Sequence, residues 1–338
     1  MKKVSMEDIA KIHNVSKVTV SKALNDKPGV SDELRQKIKA TAKAKGYRLN
    51  SSARSLKTRM VYNIGVLIAE RFIKDTASYY FGVWGQLTKK LSKLGYSAIM
   101  ETLTYENEKN LALPIMYTER KVDGLIILGQ LRRQYLKLFE SFDIPVVFFD
   151  FYVKDSNIDS VVIDNFYSGY QLTNLLIKKG HTRIGFVGNI YSTSSIQDRF
   201  LGYYRSLLEH KIPLNFAYVI SDRNEDGQLI DLQLPEKMPT AFVCNNDQVA
   251  YYFINKLKEH GVRVPEDCSI VAFDNTIFST ISDPPITTVD THVEELVEVV
   301  SKVIIKKINV PNKTYNRILV KASIIERESV RKVNGDPL

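Results

Sequence analysis

The sequence predicts an all-α helix-turn-helix segment followed by two doubly wound α/β lobes, each built on a parallel sheet. Charge supports the first part. Residues 1–60 contain 15 Lys and Arg against 5 Asp and Glu, so their net charge of +10 accounts for the +9 of the whole chain of 338 residues. Periodicity supports the second part, because short apolar runs rich in β-branched residues alternate with amphipathic stretches from residue 63 onward. Two such series of strands and helices predict two lobes with a cleft between them.

Serine-led motifs predict where the helices of the basic segment begin. They are Ser5 to Asp8, Ser16 to Thr19 and Ser31 to Leu34. In each motif the hydroxyl can accept a hydrogen bond from a free N–H group of the first helical turn. The second helix, from Lys17 to Leu24, would turn Val20, Ala23 and Leu24 inward and its opposite side outward.

The outward side of this second helix carries groups suited to DNA. Lys17 and Lys22 can donate to guanine O6 and N7, and Val18 suits a thymine methyl group. The hydroxyl groups that can reach phosphates are those of Ser16, Thr19 and Ser21. The alternative is a solvated basic helix, because charge runs usually are solvated faces. Charge and spacing together favour double-stranded DNA as the partner.

A Ser- and Arg-rich stretch, Tyr47 to Thr58, separates the basic helices from the first apolar run and is typical of a linker. We therefore predict a helix-turn-helix domain at 1–48, a hinge at 49–60 and a core at 61–338. Lobe 1 of the core is expected at about 61–159 and 291–320, and lobe 2 at about 160–290 and 321–331. Strands are expected at 63–69, 97–101, 124–128, 145–149, 160–163, 183–188, 217–221, 240–244 and 269–273. Helices are expected to end at 94, 120 and 142 and to span 165–179, 195–210 and 245–260.

Several classes of protein are disfavoured by what the sequence lacks. No strand is followed by G-x-G-x-x-G, and there is neither a P-loop nor a G-x-S-x-G elbow. The five histidines and the two cysteines, Cys244 and Cys268, show no metal-ligand spacing, and we expect both cysteines to be buried. No apolar run approaches the ~18 residues of a membrane span, and Met1-Lys2-Lys3 is not followed by an apolar signal region. We expect a cytoplasmic protein that is not an enzyme and needs no metal or cofactor.

Ordered motifs along nearly the whole chain resemble those of the lac repressor-like (LacI/GalR) transcription regulators. They are residues 4–56, RIGFVG at 183–188, DRFLGYYRSL at 198–207, CNNDQVA at 244–250, VPEDCSIVAFDN at 264–275 and ITT at 286–288. Periplasmic sugar-binding proteins have a similar two-lobed core, but they carry a signal peptide and lack basic helices at the front. The resemblance implies a repressor that binds a near-palindromic operator and is controlled by a small molecule, foremost a sugar, between the lobes. A protein partner such as a phosphocarrier is the alternative trigger.

The resemblance also assigns DNA-binding residues. It places Lys17, Val18 and Lys22 on bases in the major groove. Lys22 departs from the arginine that is most common there, and an ammonium group cannot form the planar fork with guanine. In the hinge, Ala53 and Leu56 match positions that enter the minor groove, where the leucine acts as a wedge. Backbone contacts are expected from Asn50, Arg54 and Tyr47, and the predicted set also includes Ser5 and Asn25.

Polar residues at strand ends predict the effector site. In an open α/β lobe a ligand binds beyond the carboxyl ends of the strands, where Asp150, Asn246 and Asp274 stand. The resemblance gives Arg199, Asn246 and Asp274 to a sugar, whose vicinal hydroxyls suit bidentate donors and carboxylates. The alternatives are helix caps for Asn246 and Asp274 and a surface ion pair for Arg199.

Aromatic residues near the first strand are candidates for stacking on the apolar face of a sugar. Tyr79 and Tyr80 are predicted to do so, whereas Phe81 and Trp84 are assigned to the core by the burial bias of large aromatics. The resemblance further implies a homodimer joined through the core lobes. We expect no tetramer, because residues 326–338 are too short and too polar for a leucine heptad tail.

Overall fold

The computed structural model describes residues 4–47, 58–73 and 79–333 of the chain. The chain divides into two compact units, Met1–Val61 and Tyr62–Leu338. The second unit contains both α/β lobes, so the chain separates where the basic segment gives way to the first apolar run.

The described part of the first unit contains α1 (Met6–Ile12), α2 (Lys17–Leu24) and α3 (Asp32–Ala44). The helices begin at the predicted serines, because the side chains of Ser5, Ser16 and Ser31 accept hydrogen bonds from backbone N–H groups three residues later. Their inward sides form one small apolar core, whose buried members are Ile9, Ala10, Val20, Ala23, Ile38 and Ala42.

Lobe 1 contains a six-stranded parallel sheet in the order β11-β5-β4-β3-β1-β2. Its central strands are buried along their whole length, as expected of a parallel sheet covered on both faces. The strands are β1 (Asn63–Ala69), β2 (Ser97–Leu103), β3 (Gly124–Leu128), β4 (Val146–Phe149), β5 (Asp159–Ile163) and β11 (Arg317–Val320).

Lobe 2 repeats this plan with the order β12-β10-β9-β8-β6-β7. All neighbours pair in parallel except β10 and β12, which are antiparallel. The strands are β6 (Ile184–Val187), β7 (Val219–Ile220), β8 (Ala241–Cys244), β9 (Ser269–Phe273), β10 (Thr287–Asp290) and β12 (Ser323–Ile325).

Helices cover both sheets. They are α4 (Tyr79–Lys93), α5 (Tyr105–Lys109), α6 (Ile115–Thr118), α7 (Arg133–Leu136), α8 (Asn165–Lys178), α9 (Ser194–Glu209), α10 (Asp247–Glu259), α11 (Ile277–Ile281) and α12 (Val293–Asn309). In lobe 2, α8 and α9 touch through glycines. A Cβ on Gly169 would lie 2.3 Å from the Arg199 carbonyl, and one on Gly202 would lie 2.0 Å from the Phe166 carbonyl. Only glycine permits this approach, which fixes the position of Arg199.

The lobe boundary that we expected near residue 160 falls after Ile163 instead. β5 pairs with β4 on one side and with β11 on the other, so this buried strand belongs to the sheet of lobe 1. The chain crosses into lobe 2 at Asp164, returns between β10 and α12, and crosses again between β11 and β12.

Some predicted elements differ in detail. The helix expected to end near residue 120 consists of two short helices, because Pro114 is extended and precedes α6. The strand expected at 217–221 is reduced to Val219–Ile220 after a 3₁₀ turn at Phe216–Tyr218. Phe81 and Trp84, which we assigned to the core, are only partly buried. The buried side of α4 is formed by Val83, Leu87 and Leu91, whose spacing of four residues defines the inward stripe.

Within the described ranges, no group of His, Cys, Asp and Glu side chains is arranged to hold a metal ion. Over the same residues, no helix has the length and apolar character needed to cross a membrane. Cys244 and Cys268 are free and buried, as predicted, and burial raises the pKa of the Cys268 thiol to about 12.

Candidate functional site

The first candidate site is the outward side of α2. Val20 and Ala23 are fully buried, whereas Lys17 and Lys22 are exposed and Val18 keeps 64% of its surface in solvent. This side therefore presents two ammonium donors around an apolar contact, the combination that can read base edges in a major groove. Two acidic groups of the unit are paired elsewhere: Glu33 with Lys37 and Asp26 with Lys39, at 2.7 and 2.6 Å.

Other polar residues of the predicted DNA-binding set make local hydrogen bonds at the ends of α1 and α2. Ser16 Oγ accepts from Thr19 N at 3.1 Å and lies 2.9 Å from Thr19 Oγ1. Asn25 Nδ2 donates to the Ser21 carbonyl at 2.8 Å, which closes the carboxyl end of the helix. On α1, Ser5 Oγ donates to Asp8 Oδ2 at 2.8 Å. The Ser16 and Asn25 contacts cap the two ends of α2, and Lys17, Val18 and Lys22 lie between them.

Tyr47 packs against the core of the first unit, and burial raises the pKa of its hydroxyl. Its N–H donates to the Ala42 carbonyl at 2.8 Å after the end of α3. The hinge residues predicted to contact DNA, Asn50, Ala53, Arg54 and Leu56, lie outside the described residues.

The second candidate site is a cavity of about 400 Å³ between the lobes of the second unit. It lies at the carboxyl ends of strands from both sheets, the location expected for ligands of open α/β folds. All six residues that we predicted for an effector line it: Tyr79, Tyr80, Asp150, Arg199, Asn246 and Asp274.

Two of these carboxylates stand at equivalent positions in the two lobes. Asp150 directly follows β4 and Asp274 directly follows β9, and both have left-handed backbone conformations, with φ of 71° and 101°. Their N–H groups continue the sheets by donating to the Val161 and Val289 carbonyls at 2.9 Å. Asp tolerates positive φ better than most residues, and strain of this kind is typically found at functional sites.

Arg199 joins three segments of lobe 2 beneath the cavity. It is 5% exposed, so the surface ion pair that we considered for it is wrong. Its Nε donates to Asn165 Oδ1 at 2.7 Å, its Nη2 to Asp274 Oδ1 at 3.1 Å and its Nη1 to the Asn245 carbonyl. The guanidinium also lies 4.4 Å from the centre of the Phe273 ring. A planar charged group held on all sides is a rigid donor for a ligand.

The two tyrosines approach the cavity from the start of α4 in lobe 1. Tyr80 Oη donates to Asp150 Oδ2 at 2.8 Å, and the rings of Tyr79 and Tyr80 meet edge to face at 5.3 Å. Burial raises the pKa of both phenols well above 10, so both remain hydrogen-bond donors. Phe72 adds a third ring, 5.2 Å from that of Tyr80.

Burial raises the pKa of the Asp150 carboxyl to about 6, and the nearby negative charge of Asp274 acts in the same direction. Arg199 and the Tyr80 hydroxyl partly oppose this effect. The pKa of Asp274 is also raised by burial, against the pull of Arg199. Close to the cavity, burial raises the pKa of Asp247 to about 7. Burial thus disfavours the charged form of these carboxyl groups, and strongly shifted pKa values are typical of functional sites.

We considered a helix-cap role for both Asn246 and Asp274, and only Asn246 has it. Asn246 is the cap of α10, because its Oδ1 accepts from Val249 N at 2.8 Å. Its side chain still lines the cavity. Asp274 instead accepts from Arg199, and the residue before α11 is Thr276.

Sequence reasoning missed one wall of the cavity, formed by Arg71, Phe72, Arg223, Gln228 and Leu229. Arg71 and Phe72 lie in the 3₁₀ turn Glu70–Phe72 that follows β1, so the strand-end rule that identified Asp150 applies to them as well. The other three belong to a segment that turns at Asp226-Gly227 and is closed by a bridge between Arg223 and Leu229. This segment has no apolar periodicity, and its only signal is the Asp-Gly turn.

The segment from Arg223 to Leu229 takes part in contacts between the lobes beside the cavity. Arg132 Nη2 of lobe 1 donates to Asp226 Oδ1 of lobe 2 at 2.6 Å, and Ser194 N of lobe 2 donates to Gln130 Oε1 of lobe 1 at 2.8 Å. A Cβ on Gly227 would lie 3.3 Å from Arg71 Cδ, so the turn rests against lobe 1. The cavity is thus bounded by contacts that depend on the relative position of the lobes.

Each candidate site lies in a part of the chain that is similar to known protein families. Residues 5–50 match the model of bacterial regulatory proteins of the lacI family, and residues 173–330 match a periplasmic binding protein-like domain. The HTH-type transcriptional regulator RegA of Clostridium saccharobutylicum is 31% identical over 333 residues, which cover 96% of this chain and 98% of that protein. The ribose operon repressor of Haemophilus influenzae is 28% identical over 331 residues, covering 96% and 98%.

Solved structures agree on the fold. The lac repressor dimer bound to operator and the anti-inducer ONPF aligns with a TM-score of 0.74 at 22% identity, covering 98% of this chain and 100% of that chain. A complex of the transcriptional regulator CelR with cellobiose aligns with a TM-score of 0.69 at 22% identity, covering 97% and 100%.

Proposed function

Because the chain belongs to the lacI family of bacterial regulatory proteins, we propose that it is a repressor whose affinity for its operator is changed by a sugar bound between the lobes. Its relatives are transcriptional regulators, and this chain is one of them rather than an enzyme. The proposal adds the operator symmetry, the effector class and the residues that serve each site.

For DNA, the proposal assigns base contacts in the major groove to Lys17, Val18 and Lys22. The exposure of all three on a capped helix supports this assignment. One helix of this size reads only a few base pairs, so we propose a homodimer on a near-palindromic operator. In the hinge, Ala53 and Leu56 are proposed to enter the minor groove.

For the effector, one observation carries the proposal: buried charged and aromatic side chains from both lobes converge on a single cavity. Asp150 and Asp274 can accept from sugar hydroxyls, Arg199 can donate to them, and Tyr79 and Tyr80 offer rings for the apolar face of the sugar. Two of the similar proteins are described through sugars, a ribose operon and cellobiose. Against a regulator governed only by a protein partner stand Asp150 and Asp274, whose carboxylates line the same cavity although burial disfavours their ionisation.

A two-step experiment tests the proposal. Duplexes bound by the purified chain are first selected from a random library, and fluorescence anisotropy then measures the affinity of the selected operator at several salt concentrations. We expect a near-palindromic consensus and an affinity that falls steeply with salt, because lysine contacts release counterions from phosphates. Ribose, cellobiose and related sugars are then added one at a time. One of them should change the affinity of the chain for the operator. An asymmetric consensus, or operator binding that no sugar alters, would contradict the corresponding half of the proposal.

A further inference from the structure

The arginines that line the cavity are already paired with carboxylates of the protein. The pairs are Arg71 with Glu108, Arg199 with Asp274 and Arg223 with Asp222, with closest N–O distances of 2.5, 3.1 and 2.6 Å. Glu108 and Asp222 are buried. Each guanidinium therefore enters the cavity with its positive charge offset.

Asp150 is a carboxylate in addition to these three pairs. It is 8% exposed, and the neutral phenol of Tyr80 donates a hydrogen bond to it. Arg199 and Asp274 also act on it, in opposite directions. The described arginines and aspartates of the cavity, with the carboxylates that pair with them, thus comprise three guanidinium groups and four carboxylates. Arg132 also lies 4.0 Å from Glu108, but it is itself paired with Asp226.

From this charge distribution we infer, building on the proposed function, that the effector is uncharged or cationic and that phosphorylated and acidic sugars are excluded from the cavity. A phosphate or carboxylate entering this space would meet the carboxylates of Asp150 and Asp274, whose side chains are little exposed to solvent. Like charges placed together in such a site cost several kcal/mol. Hydroxyl or amino groups instead donate to both carboxylates, and oxygen atoms of a neutral ligand accept from the arginines.

Matched compounds that differ only in charge test this inference. The probes are glucose, glucose 6-phosphate, glucuronate and glucosamine, then ribose with ribose 5-phosphate, cellobiose, and neutral nucleosides with their monophosphates. Thermal shift of the full chain finds the compounds that bind, and calorimetry measures their affinities. We expect a neutral or amino compound to bind, and its phosphorylated or acidic counterpart to bind on the order of a hundredfold more weakly.

Two of the possible results separate the charge inference from the proposed function. A phosphate or uronate that binds as tightly as its neutral counterpart overturns the inference while leaving a sugar effector in place. A neutral nucleoside that binds when no sugar does supports the inference and contradicts the sugar. If no compound of any charge binds, the cavity is not the effector site and both ideas fail.

A substitution locates the source of the exclusion. Asp150→Asn keeps the shape of the side chain and an acceptor for Tyr80 but removes one negative charge. It should therefore raise the affinity for the phosphorylated compound and reduce the difference between the affinities for the neutral and the phosphorylated compound. Glu266→Gln removes the same charge from an exposed position of lobe 2 and serves as the control. Equal discrimination between the neutral compound and its phosphorylated counterpart by the parent and both variants would show that Asp150 does not exclude anions.

Discussion

The outward side of α2 and the interlobe cavity differ in how their residues are distributed along the chain. The α2 side is formed by exposed residues within Lys17–Lys22, whereas the cavity gathers residues from Arg71 to Asp274. The first site is a surface on a small helical frame, and the second consists of buried charges held by distant partners. Substitutions on α2 should therefore change binding alone, and substitutions in the cavity should change binding and stability together.

Arg199→Ala should have the largest effect. It removes the donor to the Asp274 carboxylate and to Asn165 Oδ1, and breaking a buried ion pair in this way costs about 3–5 kcal/mol of unfolding free energy. Urea unfolding of the second unit measures the loss, and calorimetry measures the accompanying loss of effector binding. Arg205→Ala, which removes an exposed arginine six residues further along the same helix, is the control. Equal stability of the two variants would refute the role that we assign to Arg199.

Asp150→Asn should raise the stability of the ligand-free chain. The raised pKa of Asp150 means that the folded state binds this proton more tightly than the unfolded state. Its ionisation therefore lowers stability as the pH rises from about 4 to about 6. The substitution should remove this loss, a gain of about 1–3 kcal/mol at pH 7. The measurement is the difference in unfolding free energy between variant and parent from pH 4 to 7. If the difference in unfolding free energy did not grow with pH, the pKa of Asp150 would not be raised in the folded state.

Lys22→Ala should weaken operator binding by about 1–3 kcal/mol and relax the base preference at one position of each half-site. Because Lys22 is exposed, the unfolding free energy should change by less than about 0.5 kcal/mol. Lys37→Ala removes an exposed lysine that pairs with Glu33 on α3, and it should leave the base preference unchanged. Anisotropy titrations of operator duplexes mutated one base pair at a time compare the two variants. A base preference that survives in Lys22→Ala would place recognition elsewhere.

Asp226→Asn should have the smallest effect. Its ion pair with Arg132 joins the lobes but is partly exposed, and such pairs are worth about 0.2–1 kcal/mol. Effector affinity should fall less than about fivefold, and the difference from the parent should disappear at high salt. Glu225→Gln, at the neighbouring exposed position, controls for net charge. Calorimetry at low and high salt provides the comparison, and a loss that persists at high salt would rule out a screened ion pair.

The sequence was sufficient for features that depend on neighbouring residues. Serine caps placed the three described helices of the first unit, and the strand-end rule found Asp150 and Asp274. Features that depend on distant pairing were missed. The assignment of β5 to lobe 1 follows from its pairing with β11, more than 150 residues later along the chain, and Arg71 enters the cavity wall because Glu108 holds it. No local pattern encodes these partners.

The central claim, that a ligand in the cavity controls the DNA-binding face, is tested most directly by measuring both affinities in the presence and absence of the other ligand. Operator affinity is titrated with and without the effector found by thermal shift, and effector affinity with and without operator. Operator affinity and effector affinity should change by the same factor, about 5- to 150-fold, because coupling between binding sites is reciprocal. An effector that binds the cavity and leaves operator affinity unchanged would contradict the central claim.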